Sequence, residues 1–169
     1  MLTASARVLD DTDRSAVERV LESEPIAAAQ VTERVQMAGL RRRLDSRVLG
    51  YGSRNRLEAI CWHGANLIPV HAGPAAVDAF ADHVASHPRL CSSLVGEAEA
   101  VLGLWHRLAP AWGAARDVRP NQPLLASEEF GLGGAQFGRD LLVSGTGVFL
   151  VRHRSAHHDP VTQGAAFRA

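Results

Sequence analysis

The apolar positions change period several times along the chain, and each change marks an element. Ser5 to Leu9 is a short strand-like run that ends in Asp10-Asp11-Thr12-Asp13, a cluster suited to cap a helix. Val17, Val20 and Leu21 then recur at i, i+3 and i+4, with Glu18 and Glu22 early in the same segment, and Pro25 stops it. A second helix is predicted from Ile26 to Met37, with Val31 and Val35 on one face and Gly39 as its C-cap. Arg47 to Tyr51, Leu57 to Trp62 and Asn66 to His71 read as three strands. They are joined through Gly52-Ser53-Arg54-Asn55 and His63-Gly64-Ala65. Gly73-Pro74 opens a helix whose Val77, Phe80, Ala81 and Val84 form one apolar stripe. Leu90 to Val95 is a further strand. Glu97 to Leu108 is a helix with Val101, Leu102, Trp105 and Leu108 along one side, and Pro120 to Ala126 is extended.

The order is strand, two helices, three strands, helix, strand, helix, extended segment. It predicts a mixed α/β sheet with helices on both faces. Val77, Phe80, Val84, Val101, Leu102 and Trp105 are its expected buried helix positions. Residues 128–169 differ: they hold seven of the fifteen glycines and no convincing amphipathic helix. Leu141-Leu142-Val143 and Val148-Phe149-Leu150-Val151 pair, on this reading, as a hairpin around Ser144-Gly145-Thr146-Gly147. The stretch from Arg152 onward reads as disordered.

Composition narrows the chemistry. The 169 residues suit one compact domain, or one domain with a tail, and 46% hydrophobic content permits a packed core. All 18 basic side chains are Arg. They balance 18 acidic ones, so net charge drives binding neither to nucleic acid nor to an anionic membrane. The absence of Lys excludes a Walker A loop, a Schiff-base enzyme and a Ser–Lys dyad. Cys61 and Cys91 lie in apolar runs and read as buried, inert thiols. No run reaches membrane-spanning length and Met1 to Asp13 has no leader pattern, so the expectation is a cytoplasmic protein.

The predicted element order is that of the acyl-CoA N-acyltransferase (GNAT) fold, whose sheet is mainly antiparallel. Arg47-Val-Leu-Gly-Tyr-Gly-Ser, Ala59-Ile-Cys-Trp, Asn66-Leu-Ile-Pro-Val, Leu90-Cys-Ser-Ser-Leu-Val-Gly and Val118-Arg-Pro-Asn-Gln-Pro-Leu-Leu resemble a domain of unknown function. That domain precedes the catalytic domain in GNAT-family acetyltransferases of high-GC bacteria. The resemblance covers roughly residues 3–126. It implies a GNAT-like N-terminal domain over 1–127 and a catalytic GNAT domain as partner in the full-length relative. Residues 128–169 then read as a Gly-rich, partly disordered tail, a truncated or frameshifted remnant of a second GNAT domain. Removing it is expected to leave the melting temperature of 1–127 unchanged.

In catalytic GNAT domains the acetyl-CoA pyrophosphate rests on backbone N–H groups at a helix start, in Gln/Arg-x-x-Gly-x-Gly/Ala. The corresponding place here is Val70-His71-Ala72-Gly73-Pro74-Ala75. Gly73 and Ala75 fit. Val70 stands where Gln or Arg belongs, and Pro74 removes one donor. His71, Ala72, Gly73 and Ala75 are therefore the cofactor-binding candidates, in a loop that looks degraded, and the cofactor is acetyl-CoA or none. No catalytic residue is assigned: Glu58 and His63 are bases by type, and Tyr51 is the one tyrosine, but no spacing ties them to a substrate.

Other motifs carry less. Gly131 to Gly138 matches neither a dinucleotide fingerprint nor a P-loop and reads as a linker. His83 and His87 share a helix face but specify no third ligand, so no metal site is assigned; His157-His158-Asp159 sits in the tail. Arg41-Arg42-Arg43 reads as a solvated loop, with an anion contact or a docking patch as the alternative. The leading expectation is a non-catalytic half of a tandem acetyltransferase. Beside it stand a stand-alone acyl-CoA-dependent N-acyltransferase and a non-catalytic module that binds a small ligand.

Overall fold

The computed structural model describes residues 5–53, 56–127 and 141–153, and side chains within 5–53 and 56–119. Strand β1 is Arg7–Val8, followed by a 3-10 turn at Asp11–Asp13, helix α1 (Arg14–Ser23) and helix α2 (Ala29–Ala38). Then come β2 (Arg47–Ser53), β3 (Arg56–His63), β4 (Asn66–Val70), α3 (Pro74–Ala85), β5 (Ser93–Glu97) and α4 (Ala98–Trp112). Two long strands, β6 (Ala115–Ser127) and β7 (Leu141–His153), complete the described chain.

Among the described residues one sheet has the order β1-β2-β3-β4-β5-β7-β6. Every neighbouring pair is antiparallel except β4 and β5, which are parallel and joined by the α3 crossover. The chain is therefore a mixed α/β structure with a mainly antiparallel sheet.

Strand alternation sorts the core into two halves. Leu49, Ala59, Cys61, Leu67 and Leu94 point to one face, where α3 and α4 cover them with Val77, Phe80, Val84, Val101 and Leu104. Val48, Ile60, Trp62, Ile68 and Val70 point to the other, under Val17, Val20 and Leu21 of α1 and Val31 and Val35 of α2. Helices lie on both faces, as the pattern of apolar positions implies. Asp10 accepts from the Thr12 N–H at 2.8 Å, and Arg7 grips Asp13 through two contacts of 2.6 and 2.8 Å, which ties β1 to the start of α1. A bulge between Tyr51 and Gly52 bends β2; Gly52 has φ +118, and a Cβ there would sit 2.4 Å from the Arg56 carbonyl.

Several expectations need correcting. The strand placed at Leu90 to Val95 starts at Ser93, so Cys91 lies in the loop before β5, though still buried. The second helix begins at Ala29 rather than Ile26, and the fourth runs on through Pro110 to Trp112. On α4 the buried positions are Ala100, Val101, Leu104 and Leu108, while Leu102 and Trp105 are half-buried. The face is rotated because α4 approaches α3 through small residues: a Cβ on Gly103 would lie 2.9 Å from Val77 Cγ1. The expected hairpin within 141–151 is instead one strand. Leu141–His153 pairs with β5 on one side, Ser93 opposite Arg152 through Glu97 opposite Val148, and with β6 on the other, where the register shifts at three places. A division of the chain at residue 127 thus falls between two strands that pair with each other. The Gly131–Gly138 linker, the His157-His158-Asp159 motif and the disorder expected beyond His153 lie outside the described residues.

Candidate functional site

The parallel pair is where the sheet opens. The β4–β5 register is formed at Asn66–Ser93 and Leu67–Leu94 and does not continue toward Val70 and Glu97. The two strands part there, β4 still paired with β3 as far as Val70 and β5 with β7 as far as Glu97, and the chain passes from one into α3 and from the other into α4. Clefts in α/β sheets form at the carboxyl ends of such diverging strands. This one has a volume of about 560 Å³ and lies between the starts of the two helices. His71, Ala72, Gly73 and Pro74 form one wall, Glu97, Glu99 and Ala100 another, with Val77 and Gly103 between and Glu24, Asp78 and Arg107 at the rim.

The wall at 71–74 has an unusual backbone. His71 has φ 55, in the left-handed region. Gly73 is the extended N-cap of α3, without a side-chain cap, and its carbonyl accepts from Val77 N–H at 3.0 Å. Pro74 occupies the first turn and brings no N–H. Ala75 and Ala76 therefore present the N–H groups that every helix start leaves without an intrahelical partner. Nothing lies within 4 Å of where a Gly73 Cβ would be, so the backbone there is approachable.

Charge in the cleft runs against a polyanion. Glu24, Asp78, Glu97 and Glu99 face one guanidinium, Arg107. Arg107 is engaged by Asp78 at 3.2 Å and Asp82 at 2.7 Å, contacts that raise its pKa above the ordinary value. His71 Nδ1 lies 3.1 Å from Glu24 Oε1. Glu97 and Glu99 are exposed and have no ion-pair partner among the described residues.

Of the cofactor candidates, His71, Ala72 and Gly73 line the cleft, and Ala75 is exposed one residue beyond Pro74. Val70 does not line it: the side chain is 3% exposed and packs under α1 and α2, so position 70 offers the cleft no cation. Glu58 is exposed and stands outside the lining. His63 is fully buried at the Leu67 end of β4, away from Val70. Burial holds its imidazole neutral, down from 6.5 to about 4, with Arg47, His83 and His87 adding to the shift. Tyr51 is half-buried against the α3–α4 core.

The thiols of Cys61 and Cys91 are both pushed up by burial, Cys91 to about 11, which suppresses thiolate. Arg41 meets Asp11 at 3.1 Å in an exposed pair, and the neighbouring Leu44 is 99% exposed. Among the described residues no group of three or more His, Cys, Asp or Glu converges on a point that could hold a metal ion, and no helix is long and apolar enough to cross a membrane. Sequence reasoning missed the carboxylates of the cleft. The signal was present, since Glu97 and Glu99 follow directly on the strand that leaves a topological switch point.

Comparison with known proteins supplies a family. A profile for a domain of unknown function, DUF4081, matches residues 46–134. The chain belongs to the DUF4081 family. Neither a curated protein nor a solved structure matches it. The DUF4081 match begins just before β2 and runs past the end of β6, so it includes the cleft walls from β4, α3, β5 and α4.

Proposed function

We propose that this DUF4081 chain is a GNAT-like domain without catalysis of its own, which packs against the catalytic half of a tandem acetyltransferase and orients it. The fold part of the reading is supported by the strand order β1-β2-β3-β4-β5-β7-β6, with the two helices after β1 and the parallel β4–β5 pair joined by α3. The observation that carries the non-catalytic part is the charge of the cleft at the α3 start. A coenzyme A pyrophosphate there would face four carboxylates, a guanidinium already held by two aspartates, and a helix start with one donor replaced by Pro74. Titration of the chain with acetyl-CoA by calorimetry tests this. No heat of binding is expected; a low-micromolar constant overturns the reading.

One observation favours the stand-alone N-acyltransferase. Strand β7 comes from this chain and sits between β5 and β6, so the sheet has a seventh strand without a second domain. That reading requires acetyl-CoA to bind in the cleft and a base to reach it, and neither Glu58 nor His63 is among the lining residues. Release of free CoA from acetyl-CoA in the presence of primary amines would establish it.

A further inference from the structure

At the other end of α3 a set of basic side chains is packed without acidic partners among the described residues. Arg47 opens β2 and stands directly opposite His63, the last residue of β3. Each lies two residues from a member of the α3-facing core, Leu49 and Cys61, and so shares its face, and they are 7% and 0% exposed. His83, in the last turn of α3, is half-buried. His87 stacks on it with ring centroids 4.3 Å apart and planes inclined by 15°. Beyond the helix end, His87 Nδ1 lies 2.7 Å from the His83 carbonyl and 3.1 Å from Ser86 Oγ.

Four buried nitrogens of this set, on three elements, lack a hydrogen-bond partner among the described residues: Arg47 Nε, both ring nitrogens of His63, and His83 Nε2. Their mutual influence has one sign. Arg47, His83 and His87 all oppose a proton on His63; His87, Arg47 and Arg42 oppose one on His83; Arg42 acts on Arg47 in the same direction. The one contact that favours a charged His83 is a backbone carbonyl, that of Ala6. No carboxylate contributes to any of the three. Asp82, the nearest carboxylate along α3, is exposed and held by Arg107 at 2.7 Å.

We propose that Arg47, His63, His83 and His87 form an acid-sensitive latch, which holds the last turn of α3 over the start of β2 and the end of β3 while the imidazoles of His63 and His83 are neutral and releases it when they take up protons. In the closed state the imidazoles are apolar cover for the start of β2 and the end of β3. Acidification places new positive charges beside the Arg47 guanidinium, whose Nε is buried, and repulsion is strongest where water is excluded. Withdrawing the turn bearing His83 and His87 returns these charges to water, and it requires only the end of a helix to fray rather than the sheet to open. The latch stands independently of the functional reading above, since none of its residues lines the cleft.

Hydrogen exchange of the full chain, read by mass spectrometry and corrected for the intrinsic effect of pH, tests the proposal. Between pH 7 and pH 5, protection of residues 81–88 should fall about tenfold or more, the change that one unit of pKa difference produces. Protection of residues 17–21 in α1, on the opposite face, should fall less, by no more than the loss of global stability that protonation of His63 imposes. His87→Gln removes the ring that stacks on His83 at an exposed position, so the fold is kept, and it should move the loss of protection to lower pH. His83→Gln with His87→Gln should move it further. The latch is overturned if residues 17–21 lose as much protection as residues 81–88, which would be global unfolding alone, or if the His87→Gln profile superimposes on that of the wild type.

Discussion

Phe80 has no exposed surface and sits at the centre of the core that α3 and α4 share with the sheet. Phe80→Ala should cost about 3–5 kcal/mol in denaturant unfolding, the transfer and cavity cost of a buried aromatic ring; a loss below 1 kcal/mol would contradict the burial. His63 makes stability depend on pH. Its imidazole takes a proton near 6.5 in the unfolded chain and near 4 in the fold. Across that window the unfolded state binds more protons, so stability falls as pH falls, by at most about 3 kcal/mol at pH 4 relative to pH 7. His63→Leu should flatten the urea midpoint between pH 6.5 and 4, and an unchanged slope would refute the assignment. Cys61 and Cys91 are a third residue-scale case, since burial raises both thiols. Iodoacetamide at pH 8 should label neither in the native chain and both in denaturant. The inert character of these thiols was legible from apolar neighbours alone. The environment of His63 was not, because Arg47 reaches it from β2 and His83 and His87 from the end of α3, two stretches of chain far apart in sequence.

Elements were legible where one period dominates. In α3, Pro74 at the first turn and the 77-80-81-84 stripe specify both the start and the buried face. In α4 the large residues Leu102 and Trp105 drew the face one position away from the true one, because the contact with α3 is made by Ala100 and Gly103, small residues that no hydrophobicity pattern singles out. The loop before α3 shows the same limit. Its missing cation and missing donor were readable at Val70 and Pro74, whereas the carboxylates opposite come from α1, β5 and α4. This makes the obstacle to an anion separable. Val70→Arg is no remedy: it would bury an unpaired guanidinium under α1 and α2. Pro74→Gly restores one donor and should leave acetyl-CoA binding undetectable by calorimetry. Adding Glu97→Gln and Glu99→Gln should bring binding into the measurable range, because it removes the two carboxylates that lack an ion-pair partner among the described residues. If Pro74→Gly alone suffices, the lost donor and not the carboxylates keeps the anion out.

At the scale of the molecule the decisive strand is β7. Its two apolar runs, Leu141–Val143 and Val148–Val151, carry a clear strand signal, but Ser144-Gly145-Thr146-Gly147 between them has the composition of a turn. Local composition cannot tell a turn from a Gly-containing strand interior whose neighbours on both sides supply the ladder. One of those neighbours, β6, is the preceding strand across residues 128–140, but the other, β5, comes from before α4, and pairing at that separation leaves no mark on a sequence window. The consequence is opposite to that of a detachable tail. With β7 removed, β6 keeps no partner in the described sheet and β5 becomes an open edge. A chain ending at residue 127 should therefore melt at least about 10 °C below the full chain, since each kcal/mol lost moves the midpoint of a chain of this size by roughly 2–4 °C and a central strand contributes several. It should also self-associate through the exposed edge of β5, visible as a concentration-dependent mass in light scattering. An unchanged midpoint and a monomeric mass would mean that residues 5–127 hold together without β7, and the division at residue 127 would then be the correct description of this chain.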